Sequence, residues 1–268
     1  MSIRLYPVND VQFLLHSGPD YISQHLREGK SWEPLLLDII GLFLRKIERP
    51  IFVDIGANLG AVSVPVGKMI QKNASNRGGG EVHSIEAQRN VYYQLCGNIF
   101  ANDLSQHCFA YHTAIGNTTG SLKIPFLSLK DTGNVGALSL DEFIRQEQGW
   151  KNEEFTTYEN VPLTTLDELN LPAASIVKID VEGMELEVIS GGLMWLERSG
   201  FPPILFEVWD DTMKNQIPKR EALLDLLKQV GYEYAICGEL CIAQHYKNQY
   251  LQFIYNENNQ LDKVSLLP

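Results

Sequence analysis

The chain has 268 residues, of which 44% are hydrophobic, and it carries a formal net charge of -11 at pH 7. A chain of this length and apolar content can bury one large core, so we expect one domain, and its acidic balance would repel the phosphates of a nucleic-acid partner. With no apolar run long enough to span a membrane and no basic and then apolar leader, the protein is expected to be soluble and cytoplasmic.

Residues 1–30 are expected to form a cap or lid on the main domain. Their pattern is irregular, apart from a turn at 17–20 and a possible short helix at 21–27.

An amphipathic helix is predicted after Trp32-Glu33-Pro34, because the following apolar residues are spaced three and four apart. Pro34 suits the first turn of such a helix. Glu33 would lie at the positive end, where its carboxylate can cap the helix or compensate the helix dipole.

A strand followed by a glycine loop is predicted at residues 51–60, Ile-Phe-Val-Asp-Ile-Gly-Ala-Asn-Leu-Gly. The apolar run indicates a buried strand, and Gly56 and Gly60 allow the backbone to turn sharply beside a ligand. A dinucleotide-binding pattern would need glycine at all of positions 56, 58 and 61, but Asn58 and Ala61 occupy two of them. The spacing disfavours a pyrophosphate site and suits a smaller adenosine ligand joined to an amino acid.

The next helix and strand place an acid beside this loop. A helix is predicted over 60–70, with a kink or a late start because of Pro65, followed by a surface turn at 72–80. Residues 81–86 then form a predicted strand that ends in Glu86. At this position of a doubly wound sheet, a carboxylate can accept hydrogen bonds from both hydroxyls of a ribose. Glu86 is therefore the predicted ribose ligand, the alternative being a solvated acid at a strand end.

The chain between residues 107 and 160 combines a strand with an irregular region. A third strand is predicted at 107–115, with Ala114 near the adenine. Residues 120–160 have a looser pattern, and an insertion of this length in a compact domain is typical of a lid or binding loop. We expect substrate selectivity to reside there; a solvated surface excursion is the alternative.

The remaining pattern alternates strands and helices. A fourth strand is predicted at 175–180, a helix after 181, a fifth strand at 202–209 and a helix at 219–230, and two further strands are predicted at 232–242 and 250–255. Alternation of this kind predicts an α/β fold with a doubly wound sheet.

Several motifs together resemble the FkbM family of S-adenosylmethionine-dependent methyltransferases over about residues 31–210. The most specific is the block Val-Lys-Ile-Asp-Val-Glu-Gly-Met-Glu-Leu-Glu-Val-Ile at 177–189. The others are Asp-Ile-Gly-Ala-Asn-Leu-Gly at 54–60, the acid Glu86, Asn-Ile-Phe-Ala-Asn at 98–102, Leu-Thr-Thr-Leu-Asp at 163–167 and Trp-Glu-Pro at 32–34. The methyltransferase domain itself is predicted at residues 31–268, after the cap segment.

The resemblance implies a mostly parallel seven-stranded sheet whose last strand is antiparallel. It also implies S-adenosylmethionine as cofactor and methyl transfer to a hydroxyl oxygen, often of a sugar or other small molecule. The cofactor-binding residues expected from the motifs and the strand order are Glu33, Asp54, Gly56, Ala57, Asn58, Gly60, Glu86, Ala114 and Asp180.

The expected catalytic residues are the acids Asp180, Glu182 and Glu207 at the ends of two neighbouring strands. Asp180 can bind the ammonium group of the cofactor. Glu182 is the first choice as general base and Glu207 the second, although Glu182 can equally compensate the dipole of the helix that follows. The three acids can also hold a divalent metal, but without a histidine or another fixed ligand we predict no metal site.

Other functions are compatible with part of the pattern. The chain can be a non-catalytic subunit that binds S-adenosylmethionine and acts through a partner, or it can methylate nitrogen or a carboxylate. A nicotinamide-dependent oxidoreductase is disfavoured by the missing second glycine. The intact loop at 54–60 and Glu86 favour an active transferase.

Overall fold

A computed structural model describes residues 2–129, 133–150, 155–209, 211–257 and 261–267, with the backbone alone at 75–77. Within these ranges the chain forms, in order, β1 (Ile3–Val8), β2 (Val11–His16), α1 (Tyr21–Arg27), α2 (Pro34–Lys46), β3 (Ile51–Ile55), α3 (Ser63–Arg77), β4 (Glu81–Glu86), α4 (Arg89–Ala101), β5 (Cys108–His112), β6 (Ala114–Ile115), β7 (Gly120–Pro125), α5 (Glu142–Glu147), β8 (Tyr158–Thr164), β9 (Ile176–Ile179), α6 (Glu185–Ser190), α7 (Leu193–Arg198), β10 (Ile204–Glu207), α8 (Ile217–Val230), β11 (Tyr232–Cys237), β12 (Leu240–His245), β13 (Leu251–Tyr255) and β14 (Leu261–Leu266).

The central sheet has seven strands in the order β11-β12-β10-β9-β3-β4-β5. All neighbours are parallel except β12, which runs antiparallel to both β10 and β11. Since β12 is the last strand of this sheet along the chain, the predicted doubly wound sheet with an antiparallel last strand is confirmed. The strand order reverses at β3, which pairs with β4 on one side and β9 on the other. Ligands of open α/β sheets bind in the crevice at such a reversal.

Alternating side chains of the central strands fill two separate cores. Phe52 packs with Phe43 and Leu95 on the face covered by α2, α3 and α4. Val53 packs with Trp195 on the opposite face, which α6, α7 and α8 cover. Because helices cover both faces, these parallel strands are apolar throughout rather than alternately polar, and a charged side chain within them needs a partner.

The segment before α2 forms an antiparallel β1–β2 hairpin and α1, and the hairpin was not predicted. Two asparagines bond its edge: Asn98 on α4, whose Oδ1 accepts from Leu14 N at 2.6 Å, and Asn102 directly after α4, whose Oδ1 accepts from Gln12 N at 2.8 Å. The hairpin is thereby fixed to the main domain without joining the central sheet.

Helix α3 corrects one prediction and confirms another. The predicted surface turn at 72–80 is wrong, because α3 continues to Arg77 and ends at Gly78 in the left-handed conformation, with φ 77°. The late start is confirmed, since α3 begins at Ser63 and Pro65 falls within its first turn, where the missing N–H has no helical partner to lose.

Three other predicted elements divide differently. The strand at 107–115 ends at His112, and β6 belongs to a separate sheet with β8 and β7. The helix after 181 is split into α6 and α7 at Gly191 and Gly192. The strand at 232–242 is a hairpin of β11 and β12, with Gly238 at φ 63° in its turn. In the last two cases a turn at glycine interrupts a pattern that reads as continuous in the sequence.

Candidate active site

A cavity of about 530 Å³ lies at the carboxyl ends of β3, β4, β9 and β10. Residues from the N-terminal segment, such as Tyr21 and Ile22, and from the 120–160 region, such as Asn134, also line it. Most of the predicted site residues meet around this cavity, namely Glu33, Gly56, Ala57, Asn58, Glu86, Ala114, Asp180, Glu182 and Glu207. Two predicted residues, Asp54 and Gly60, are not in its wall.

The loop after β3 is held by backbone contacts. The N–H groups of Gly56 and Ala57 both donate to the carbonyl of Ile85, at 3.0 and 2.9 Å. Gly56 has φ 78°, and a Cβ at this position would lie 1.7 Å from the carbonyl oxygen of Asp180. Only glycine fits this close approach of the loop to the end of β9.

Gly60 has a packing role rather than a place in the cavity wall. It has φ 89°, and a Cβ there would lie 2.9 Å from Leu95 Cδ1 on α4. The second glycine of the loop therefore lets α4 pack closely against the start of α3.

Glu86 is buried at the end of β4, with 7% of its surface exposed, so it is not a solvated strand-end acid. Its two carboxylate oxygens accept hydrogen bonds from the N–H groups of Asn58, at 3.0 Å, and Gln88, at 2.7 Å. Burial raises the pKa of Glu86 to about 7, and the two N–H groups partly oppose this shift. A carboxylate has about four lone-pair sites. Those left over can accept two hydroxyl groups of a ribose.

Lys178 is a site residue that the predictions missed. Its side chain is 6% exposed, and its Nζ lies 3.1 Å from Asp180 Oδ2 and 3.3 Å from Asp54 Oδ1. Burial lowers the pKa of Lys178, but the charges of Asp180, Asp54 and Glu33 outweigh burial and raise it, so the ammonium stays charged. The signal in the sequence is a single lysine within an apolar strand, two residues before an acid.

Asp54 is the buried counterpart of Lys178. It is fully buried, and its Oδ2 accepts a hydrogen bond of 2.6 Å from Ser63 Oγ. Its Oδ1 faces Lys178 in an ion pair, without the angles of a hydrogen bond, and no other group bonds this atom in the described part of the chain. Asp54 thus links β3 to Lys178 on β9, and this ion pair lies behind the cavity wall.

Three carboxyl groups converge on the other side of the cavity. Single oxygens of Asp180, Glu182 and Glu207 lie within 4.8 Å of one another. Burial, reinforced by the charges of Asp180 and Glu207, raises the pKa of Glu182 well above its usual range. Burial and the charges of Asp180 and Glu185 raise the pKa of Glu207 to about 9. Like charges this close do not all ionise, so the group retains protons at neutral pH.

The carboxylate that binds the N–H groups at the start of the next helix is that of Glu185, and not that of Glu182. Helix α6 begins at Glu185, whose carboxylate accepts from the N–H groups of Val181 at 3.0 Å and Gly183 at 3.3 Å. Glu182 precedes the helix in the left-handed conformation, with φ 56°, and lines the cavity. Its Oε2 accepts a hydrogen bond of 3.1 Å from Gln148 Nε2. The carboxyl of Glu182 is therefore directed by a side-chain contact at the cavity.

Glu33 also faces this region. As the residue before α2 it has φ 44° and makes no side-chain capping bond. Burial raises the pKa of Glu33 to about 7, against the lowering effect of Lys178. Glu33 and Asp180 thus present two carboxyl groups to the cavity, where they can bind a cationic group of a ligand.

A seven-stranded sheet of this order, with a glycine loop after β3 and an acid at the end of β4, is the arrangement that the resemblance to S-adenosylmethionine-dependent methyltransferases implied. A family model described as the methyltransferase FkbM domain matches residues 54–234, more than half of the chain. The chain belongs to the FkbM methyltransferase family, and its cofactor is S-adenosylmethionine.

The residues present fit this cofactor. The cavity volume is typical of sites that enclose small molecules. Glu86 has free lone pairs for a ribose, and Glu33 and Asp180 provide negative charge for an ammonium group.

Solved structures with a related fold are distant in sequence. An FkbM methyltransferase from Methylobacillus flagellatus KT has 13% identity and a TM-score of 0.45, over 81% of this chain and 61% of that one. A precorrin-6y C5,15-methyltransferase from Geobacter metallireducens GS-15 has 13% identity and a TM-score of 0.45, over 89% and 96%. An S-adenosylmethionine-dependent O-methyltransferase from Thermotoga maritima has 11% identity and a TM-score of 0.47, over 86% and 73%.

No curated protein matches the sequence. Among the described residues, no helix is long and apolar enough to cross a membrane.

Proposed function

We propose that this methyltransferase acts on a hydroxyl oxygen of a small molecule, a sugar or a glycosylated metabolite. The observation that carries the proposal is the group of Asp180, Glu182 and Glu207 beside the cofactor loop, in which burial and neighbouring charges raise the pKa values of Glu182 and Glu207. An alcohol must lose a proton when it is methylated, so a hydroxyl acceptor needs a proton acceptor at this place.

Cofactor and acceptor are assigned to opposite sides of the cavity. Glu86 receives the ribose, residues 56–58 and Ala114 surround the adenosine, and Asp180 with Glu33 receives the ammonium group. Asp54 acts indirectly, since it is buried and pairs with Lys178. The acceptor hydroxyl then lies against Glu182 and Glu207.

When bound, S-adenosylmethionine supplies a methyl group on a positively charged sulfur, so the acceptor oxygen forms its bond to this carbon as the carbon–sulfur bond breaks. A positive charge beside Glu182 and Glu207 lowers their pKa values and favours ionisation of one of them. Glu182 is the proposed base that accepts the hydroxyl proton, and Gln148 holds its carboxyl in place. Glu207 is the second candidate. A carboxylate acceptor is disfavoured because the same acids would repel it.

The region at 120–160 is proposed to select the acceptor. Its described part reaches the acid side of the cavity at two places. Gln148 bonds Glu182, and Asp141 binds Lys219 at 2.8 Å, while Lys219 also pairs with Glu187 at 2.8 Å. Residues 130–132 and 151–154 of the predicted insertion lie outside the described residues.

Titration calorimetry followed by an acceptor screen tests the proposal. Wild-type protein is expected to bind S-adenosylmethionine but not NAD, and Glu86→Ala to bind the cofactor more weakly. In a screen of sugars and glycosides for formation of S-adenosylhomocysteine, Glu182→Gln should lower turnover by about 100-fold with cofactor affinity unchanged. Near-normal turnover in Glu182→Gln would exclude this residue as the base. Cofactor binding without turnover on any hydroxyl acceptor would favour a non-catalytic subunit or methylation of nitrogen.

A further inference from the structure

A second cavity of about 280 Å³ adjoins the first. It lies between the start of α2, the ends of β9 and β10, and the turn joining β11 to β12. The two cavities share wall residues, among them Asp180, Glu207 and Glu239. A ligand in the main cavity can therefore extend a substituent into the second one past Glu207.

The wall of the second cavity is mainly apolar away from this boundary. Leu35, Leu36, Leu205, Phe206 and Leu240 contribute to it. A sugar ring or a charged group placed among these side chains would lose hydrogen bonds to water without replacement. For comparison, an apolar cavity of about 150 Å³ holds a benzene molecule. The second cavity has room for an aromatic ring or a short branched alkyl group.

The adenosine part of the cofactor does not account for this cavity, because the residues assigned to it at 56–58, Glu86 and Ala114 line only the main cavity. Glu33 and Asp180, assigned to the ammonium group, border both cavities. Glu207, the second candidate base, borders both cavities. A hydroxyl held near Glu207 would direct a neighbouring substituent towards Leu35 and Leu240.

We propose that the second cavity binds an uncharged apolar part of the acceptor, an aryl or alkyl group next to the hydroxyl that is methylated. This inference rests on the proposed function and narrows it, since it selects a glycoside with an apolar aglycone over a free sugar. Leu35 is the specificity-determining residue. It is 49% exposed in the first turn of α2, so the fold should tolerate its replacement.

Binding of benzyl alcohol, which combines a ring with a hydroxyl, tests the inference without turnover. Protein labelled with ¹³C at leucine methyl groups is titrated with this probe, with and without S-adenosylhomocysteine. The methyl signals of Leu35 and Leu240 should shift in both titrations. Those of Leu227, a buried residue of α8 outside both cavities, should not shift. Leu35→Trp should lower the affinity for the probe by about tenfold, as expected when a pocket the size of a ring is narrowed. Leu35→Ala and the control Met194→Trp, at an exposed position of α7, should still bind it.

The outcomes separate the two proposals. Displacement of the probe by S-adenosylhomocysteine, together with weaker S-adenosylhomocysteine binding in Leu35→Trp, would assign the cavity to the amino-acid end of the cofactor and overturn the inference. Absence of shifts at Leu35 and Leu240 would overturn it as well. If the wild type binds no S-adenosylhomocysteine, the proposed function fails, while the titration without it still decides whether the cavity takes an apolar group. In turnover, Leu35→Trp should lower kcat/KM for phenyl glycosides more than for methyl glycosides.

Discussion

The two sides of the main cavity are built in different ways. On the cofactor side, backbone groups set the geometry: Gly56 and Ala57 bond the carbonyl of Ile85, and Asn58 bonds Glu86. On the acceptor side, side chains set it, with Glu182 held by Gln148. Backbone contacts at strand ends are fixed by the sheet itself, whereas a group of carboxyls depends on protonation and on neighbours from other segments. The first side is suited to one constant ligand, and the second can change with the acceptor.

Lys178 joins the two sides. It contacts Asp54 behind the cofactor loop and Asp180 beside the acceptor acids. Changes to the cofactor loop should therefore affect folding, and changes to the acid group should affect protonation and turnover.

The largest expected effect is that of Lys178→Met, which removes the cation that contacts both Asp54 and Asp180. The substitution leaves Asp54 fully buried without its cation, and removing one partner of a buried ion pair costs about 3–5 kcal/mol. The free energy of unfolding, measured with urea, should fall by this amount. The double variant Asp54→Asn with Lys178→Met should be more stable than Lys178→Met alone. Additive losses in the double variant would show that the two side chains do not act as a pair.

A smaller loss is expected for Gly56→Ala, which tests the backbone construction of the cofactor side. The added Cβ would meet the carbonyl oxygen of Asp180, and backbone can yield little there. We expect a loss of about 3 kcal/mol in the free energy of unfolding, with weaker cofactor binding. Gly29→Ala is the matched control, because Gly29 also has a positive φ, 76°, but open space around it. It should cost only about 1 kcal/mol. Equal losses in the two variants would contradict a role for the close approach to β9.

The same contrast explains what the sequence can predict. Loop 56–60 and Glu86 are recognisable because a glycine after a buried strand and an acid after the next one have a fixed meaning in a doubly wound sheet. Alternating apolar strands and helices likewise predicted the central sheet. The predictions failed where a turn divides an apolar run, as at Gly191 and Gly238, since local spacing does not show such breaks.

The acceptor side was predictable as residues but not as geometry. The strand ends indicated Asp180, Glu182 and Glu207, yet the contact of Glu182 with Gln148 spans 34 residues and comes from an irregular region. Lys178 was missed because the apolar residues around it predicted a buried strand, and the need of a buried charge for partners was not considered. The second cavity depends on α2, β10 and β12 packing together, and no local pattern reports this.

The smallest expected effect is a pH dependence of cofactor binding that sharpens the contrast at Glu86. Burial raises the pKa of Glu86 to about 7, and only the ionised carboxylate offers all its lone pairs to a ribose. Affinity for S-adenosylhomocysteine, measured by calorimetry, should therefore fall as the pH is lowered through about 7, by no more than about tenfold per pH unit for one proton.

The stability of the free protein should change in the opposite direction through the same group. Because the pKa of Glu86 is higher in the folded state than the unfolded value of about 4.3, its contribution is full below that value. The contribution is lost as the pH rises through about 7. Glu86→Gln should flatten both profiles. The remaining slope belongs to the other buried acids: Glu33 and Glu185, whose pKa values burial also raises to about 7, and Glu182 and Glu207, whose pKa values are raised further. Glu81→Gln, at the other end of β4, should change neither. An affinity profile that survives Glu86→Gln unaltered would mean that the ribose is bound by other groups, and the cofactor side would then depend on titrating side chains as much as the acceptor side does.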